Sequence, residues 1–457
     1  MKVVKFGGSS LADGPHFEKI IKIITTDPER KIIVTSAPGK RDKTDCKITD
    51  LLIDYAHKTI TNQSLTAIQQ QIWQRYEEIG SYFSVSTEKM AVLKQILLNL
   101  PKKEYLNNNY LLAEFKAHGE ILNAHILTLI LQQLNLNAHF AGSGELGIEV
   151  TANPQDAMIV PETYDNLAKY HLPSGYLVVP GFYGLTKKGQ IATFSRGGSD
   201  ITGAVLARGF HARVYENFTD VDAIYSANPA IVRHPKAISK MTYREMRELS
   251  YAGFSVFHDE AILPAIAGNV PINVKNTNHP NLKGTMIVPA KDFHALNVIT
   301  GVATATHFSA LYLHRYLLNK EVGFTLKLLQ IFYKYHISYE HMPSGIDDLT
   351  VIFDDRQFTA GVREKMCQEI RTQLKPDSLE WIDDYAIIMV VGEGMRNKVG
   401  VMAKIIEPLA AQNIGVHMIN QGASRISIML GTKRKDAPAA VRQIYNNFFT
   451  QGAKIND

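Results

Sequence analysis

The chain has 457 residues, about three times the usual domain of roughly 150, so two or three domains are expected. A hydrophobic fraction of 45% and a charged fraction of 20% belong to a folded globular protein and exclude a disordered or fibrous one. Lys plus Arg (49) against Asp plus Glu (44) leaves a net +5, too weak a bias to call for nucleic acid or a membrane surface, and neither partner is expected.

The opening MKVVKFGGSS reads as a short strand running into glycines, with no basic presequence or signal-type core, so the mature fold is expected to begin at residue 1. A helix is predicted over 15–26, a strand at KIIVTSA (31–37), and a long helical region over 48–135 broken at Pro101 and Asn107 to Asn109. Further strands are predicted at AHFAG (138–142), YLVVPGFYG (176–184), ARVYENF (212–218) and VPINVKN (270–276). This alternation predicts an α/β domain around a mainly parallel sheet. The apolar patches ILTLIL (126–131) and AIIMVV (386–391) fall far short of the roughly 20 residues of a membrane helix, and the protein is expected to be cytoplasmic. Cys46 and Cys367 are too few and too distant for a disulfide framework, and no metal site is expected.

Beyond residue 297 the chain repeats itself at an offset of 77 residues. Val322, Gly323, Lys327 and Leu328 face Val399, Gly400, Lys404 and Ile405; Ile337 and Gly345 face Ile414 and Gly422; Leu349–Ile352 face Ile426–Met429. Each copy reads as helix, strand, turn glycine, strand and helix, a βαββαβ module. Two such modules without a catalytic cluster point to ligand-binding regulation or dimerisation.

Lys5, Gly7, Gly8, Ser9 and Ser10 follow a strand and precede a helix. Glycines there let backbone N–H groups approach an anion, and the lysine adds a point charge. Alone, the pair would equally make a tight turn. The run FSRGGSDITGAVLA (194–207) repeats the arrangement with Arg196, Gly197, Gly198, Ser199 and Asp200, although Asp200 could be only a helix cap. Two such loops are what phosphoryl transfer needs: donors and cations around the migrating group. In NFTDVDAIYSANP (217–229), Asp220 and Asp222 could orient a ribose or help hold Mg2+, and Tyr225 could lie beside a purine. KNTNHP, from Lys275, is a further charged loop.

In this order the segments KFGGSS, SAPGK (36–40), HGEILNA (118–124), FSRGGSD, TDVDAIYSANP and the 77-residue repeat resemble the aspartokinase family over nearly the whole chain. The resemblance implies a three-layer amino-acid-kinase fold at 1–297 followed by tandem ACT (ferredoxin-like) domains at 298–378 and 379–454. It implies transfer of the ATP γ-phosphoryl group to the side-chain carboxylate of L-aspartate, with Mg2+, the first step toward lysine, threonine and methionine. By resemblance Lys5 contacts the transferring phosphate, Gly7, Gly8 and Ser9 line its path, and Asp200 fixes Lys5 beside Gly197, Gly198 and Ser199. Glu120 receives the substrate amino group and Arg196 its α-carboxylate. Thr219, Asp220, Tyr225, Lys275 and Asn276 take the nucleotide. The ACT modules imply a homodimer with an amino-acid effector, lysine or threonine, near Gly323, Phe324, Ser344 and Asp347; the acids Asp347 and Asp348 favour lysine.

Three departures from the family pattern stand out. PGKRDKTDCKITD replaces a short loop after SA, so the substrate-contacting threonine is assigned to Thr49 in preference to Thr44. Ala230 stands where an arginine is familiar, leaving Arg233 or Lys275 to compensate, and His258 is followed by Asp259 where proline is usual. The rival readings are a kinase of another small carboxylate and an inactive amino-acid sensor. With no GxGxxG unit after the second module, a fused homoserine dehydrogenase is not expected.

Overall fold

The computed structural model describes residues 1–195, 197–254 and 259–450, and these form two compact units. The first holds Met1–Ile224, Ala237–Met246 and Ser255–Phe293; the second holds Tyr225–Lys236, Arg247–Phe254 and the chain from His294 onward.

In chain order the first unit runs β1 (Lys2–Phe6), α1 (Gly14–Thr25), β2 (Arg30–Thr35), α2 (Ile48–Ile60), α3 (Thr66–Tyr82), α4 (Thr87–Asn99) and α5 (Asn108–Gln133). It continues with β3 (Ala138–Phe140), β4 (Glu149–Val150), α6 (Glu162–Lys169), β5 (Tyr176–Pro180), β6 (Tyr183–Thr186), β7 (Ile191–Thr193), α7 (Gly198–Gly209) and β8 (Val214–Thr219). It closes with β9 (Lys240–Thr242), the start of α8 (Tyr243–Tyr251, whose residues from Arg247 on belong to the second unit), α9 (Leu263–Ala267), β10 (Ile272–Asn276) and β11 (Thr285–Val288). Eight strands make one sheet in the order β3-β5-β2-β1-β8-β10-β11-β9, parallel at every step except β10–β11.

Central strands of such a sheet are buried on both faces, and β1 and β2 are accordingly buried along nearly their whole length. On one face Val4, Phe6, Ile33, Val178 and Phe218 share a core with Phe17, Ile20 and Ile24 of α1 and Leu122, Leu127 and Ile130 of α5. On the other face Tyr215 meets α7, where a Cβ on Gly203 would lie 2.5 Å from the tyrosine hydroxyl. Helices on both faces of a mainly parallel sheet make the three layers. Helix α1 starts where its sequence says it should, with Asp13 accepting the His16 N–H at 3.1 Å and Pro15 in the first turn. The predicted strand at 176–184 is two strands, divided at Gly181 and Phe182, the latter left-handed at φ 80°.

The second unit contains β12 (Gly301–His314), α10 (Phe324–Lys334), β13 (Asp348–Asp354), α11 (Val362–Leu374), β14 (Ser378–Val391), α12 (Val401–Ala410), β15 (Met418–Asn420), β16 (Ser427–Thr432) and α13 (Ala437–Phe449). The 77-residue offset carries β12 onto β14 residue for residue and the start of α10 onto that of α12. Both helices begin behind a left-handed glycine, Gly323 at φ 81° and Gly400 at φ 82°, the conformation glycine adopts without a Cβ penalty. The five strands form one antiparallel sheet, β13-β12-β14-β16-β15, in which β12 and β14 pair along their length from Gly301↔Val391 to His314↔Ser378. Shifting each partner by one repeat exchanges those two end pairs, so the repeats are related by an approximate two-fold axis through the middle of this pair.

That pairing interleaves the two modules. Leu311 and Leu313 pack with α10, β13 and α11, whereas Ile299 and Val302, earlier on the same stretch, pack with Ile388, Val390, α12 and α13. Ala227 and Val232 join the second of these cores. The linear stretches 298–378 and 379–454 thus each carry one long strand, β12 or β14, that serves one core with each half. Residues 451–454 lie outside the described residues. Among the described residues no helix is long and apolar enough to cross a membrane.

Candidate active site

The carboxyl ends of the parallel strands open on a cleft of about 400 Å3 lined by Lys5, Ser36, Lys47, Thr49, Asp50, Glu120, Phe182, Ser195, Gly197, Gly198, Ser199 and Asp200. This is where ligands sit in open α/β sheets. Lys5 is the penultimate residue of β1 and Asp200 stands in the first turn of α7; Lys5 Nζ lies 2.7 Å from Asp200 Oδ1, both side chains largely buried. Gly197 enters α7 in the left-handed conformation at φ 73°, and a Cβ on Gly198 would lie 2.4 Å from the Phe182 ring.

The first glycine loop has a packing reason beside any anion. Gly39 N–H donates to the Gly8 carbonyl at 2.8 Å, and a Cβ on Gly8 would come 2.8 Å from the Ala37 carbonyl oxygen. KFGGSS and SAPGK thus lie backbone against backbone, an approach only glycine permits. Gly7 extends the β1–β8 ladder, its N–H donating to Phe218 at 3.2 Å.

Glu120 sits one helical turn after Lys116 on α5 and is 6% exposed. Its Oε2 is buried without a hydrogen-bond partner. Burial pushes its carboxyl up to about 8, against the pull of the Ala37 backbone, Lys116 and Lys5. A buried carboxyl with one oxygen unbonded on a cleft wall is suited to receive a cationic partner. Thr49 lines the same cleft from the start of α2, whereas Thr44 is exposed and donates to Asp42 at 2.6 Å. Lys47, Ser36 and Phe182 were not singled out by sequence reading. The signal for Phe182 is a PGFYG run that must turn sharply, and its left-handed backbone is held by an N–H bond to Thr202 Oγ1 at 3.0 Å. Arg196 and His258 lie outside the described residues.

At the ends of β8 and β10, Thr219 donates to Asp220 at 3.2 Å, Asn276 Nδ2 donates to Asp222 at 2.6 Å, and His279 Nδ1 lies 2.6 Å from the same Asp222 oxygen. Lys275 is elsewhere. Paired residues of neighbouring strands share a face and alternate residues swap it. Lys5 pairs with Asn217 and Thr219 with Asn276, while Lys275 pairs with Phe218. Lys275 therefore stands on the opposite face, 5.8 Å from the Phe218 ring. Burial lowers its ammonium pKa against the field of Glu216, whose carboxylate is in a buried pair with Arg30 at 2.6 Å. Tyr225 and Ala230 belong to the second unit.

Of the effector candidates, Gly323 caps α10, and the Phe324 ring is in the hydrophobic core at 2% exposure. Asp347 Oδ1 accepts the Leu317 N–H at 2.8 Å, and Ser344 bridges to Leu349.

A three-layer sheet with paired glycine loops and a lysine–aspartate pair at its carboxyl edge is the architecture of the amino acid kinase family, whose model matches residues 1–276; an ACT domain model matches 388–448. Over 449 residues the chain is 42% identical to aspartokinase 3 of Bacillus subtilis, covering 98% of this chain and 99% of that one. The crystal structure of Clostridium acetobutylicum aspartate kinase superposes with a TM-score of 0.87 at 38% identity, covering 98% of this chain and all of that one. Escherichia coli aspartokinase III, crystallised with aspartate and ADP, shares the fold at a TM-score of 0.75 and 22% identity, covering 98% and 100%. The chain belongs to the aspartokinase family, and its activity is that of an aspartate kinase.

Proposed function

We propose that the cleft transfers the γ-phosphoryl group of MgATP to the side-chain carboxylate of L-aspartate, giving ADP and 4-phospho-L-aspartate, the first step toward lysine, threonine and methionine. The observation that carries this is the buried Glu120 carboxyl, its Oε2 without a hydrogen-bond partner, on the wall that also bears the Lys5–Asp200 pair. A free amino acid brings an ammonium group to Glu120 and presents its far carboxylate to the phosphoryl group beside Lys5. The nucleophile is already ionised at neutral pH, so the protein needs no strong base. Its work is to align the reactants and spread charge over donors and cations.

In this reading Lys5 neutralises the migrating phosphoryl group, Asp200 holds Lys5, and Gly7, Gly8, Ser9, Gly197, Gly198 and Ser199 line its path. Glu120, Thr49 and Arg196 hold aspartate. Thr219, Asp220, Tyr225 and Asn276 serve the nucleotide; Lys275, on the other face, takes part only through the strand it belongs to. Mg2+ enters on the phosphates of ATP. Residues 1–297 form the catalytic part and the rest the ACT part, which binds a feedback effector, lysine in preference to threonine, around Gly323, Ser344, Asp347 and the backbone of Phe324, in a cytoplasmic homodimer. The E. coli relative has also been crystallised with lysine and aspartate. Trapping the acyl phosphate with hydroxylamine tests the reaction: hydroxamate is expected with L-aspartate and not with glutamate or N-acetylglutamate, and suppressed by lysine. Hydroxamate from one of the others instead would assign a different carboxylate.

A further inference from the structure

Asn217 lies in the middle of β8, 3% exposed, as the strand partner of Lys5. Its Nδ2 donates to Asp200 Oδ1 at 2.5 Å, the same oxygen that receives Lys5 Nζ at 2.7 Å. It also lies 3.3 Å from the Tyr215 hydroxyl, which in turn donates to the Asp200 carbonyl at 3.3 Å. Strand β8 thereby grips both the side chain and the backbone of the first turn of α7. A carboxylate held by a lysine alone can rotate and follow a flexible four-carbon chain; one also held by a rigid amide on the neighbouring strand cannot.

We propose that Asn217 is a positioning residue for phosphoryl transfer: it locks Asp200 in the one orientation that keeps Lys5 Nζ over the migrating group. This rests on the reading of Lys5 and Asp200 as the transfer pair. Asn217 reaches the reaction only through Asp200, so its removal changes the alignment of Lys5 and leaves the aspartate and nucleotide contacts in place. The charged and titratable groups facing position 217 are Lys5 on β1, Asp200 on α7 and Tyr215 on β8; its neighbour on β10 is Val274.

Two substitutions test it, assayed for hydroxamate beside Lys5→Ala. Asn217→Leu has nearly the same shape and no donor, and is expected to lower kcat roughly ten- to hundredfold with KM for aspartate and ATP within about twofold. Asn217→Asp puts a second carboxyl against Asp200, and two carboxyls in contact share a proton. While that proton is held, its O–H replaces the missing N–H; once it leaves, two anions repel across the site. The Asn217→Asp activity relative to the parent is therefore expected to fall as pH rises from about 6 to 9, a signature that mere loss of packing does not produce. Unchanged kcat in Asn217→Leu, or an Asn217→Asp ratio independent of pH, overturns the proposal. Should Asn217→Leu not fold, the Asn217→Asp profile decides alone. Full activity in Lys5→Ala would instead remove the transfer-pair reading on which the proposal stands.

Discussion

Glu120 allows the sharpest test of the cleft, because its protonation is tied to both folding and substrate. Its carboxyl is raised from 4.5 to about 8 by burial, so about nine-tenths of the protein carries it neutral at pH 7. An ammonium group brought against Oε2 favours the ionised form. Binding of L-aspartate at pH 7 should release about 0.9 proton, falling to about 0.1 at pH 9, and affinity should tighten roughly fiftyfold from pH 6 to pH 8. Isothermal titration in two buffers of different ionisation enthalpy reads the proton count directly. The stability consequence has a definite sign. The folded state holds this proton more tightly than the unfolded chain, so the contribution is complete below about pH 4.5 and is lost as pH rises through about 8; a shift of this size is worth roughly 5 kcal/mol. Glu120→Gln keeps the shape without the titration. It should abolish proton release, weaken aspartate by roughly 2–3 kcal/mol, and melt higher than the parent at pH 9 while matching it at pH 5. Aspartate affinity that is flat in pH, with no proton released at pH 7, would refute the argument.

Lys5→Ala should leave thermal unfolding nearly unchanged and lower kcat by about two to three orders of magnitude, read as hydroxamate at saturating aspartate and ATP. Gly39→Ala would place a Cβ 2.6 Å from the Gly8 carbonyl carbon; because the obstacle is backbone, a loss of roughly 1–3 kcal/mol in urea unfolding is expected, together with a raised KM for ATP. Phe324→Ala should cost about 3–5 kcal/mol, since its ring fills the core between α10, β13 and α11. Asp347→Asn keeps an acceptor for the Leu317 N–H and should leave stability almost unaltered; if lysine is the effector, it should blunt inhibition in the same assay.

What the sequence discloses and what it hides follow from how local each signal is. KFGGSS and FSRGGSD are legible because each is local, a glycine turn beside a helix start; the long-range packing of β1, β8 and α7 then brings Lys5 and Asp200 to 2.7 Å. The 77-residue repeat is also legible, because a preserved offset needs no knowledge of pairing. Interleaving of the two ACT modules is not, since it depends on β12 lying antiparallel along β14 over fourteen residues each, a partnership between segments far apart. Lys275 shows the opposite case, a side-chain face that counting alone gives. Asn276 and Thr219 share the face of Lys5, so with a period of two the residue before Asn276 must turn away. Asn217 obeys the same count and points toward Lys5, yet it sits mid-strand with no glycine or proline beside it to draw attention. Motif reading favours loops, where backbone conformation demands particular residues; the amide that shares Asp200 Oδ1 with Lys5 comes from the strand, where only the alternation of faces reveals it.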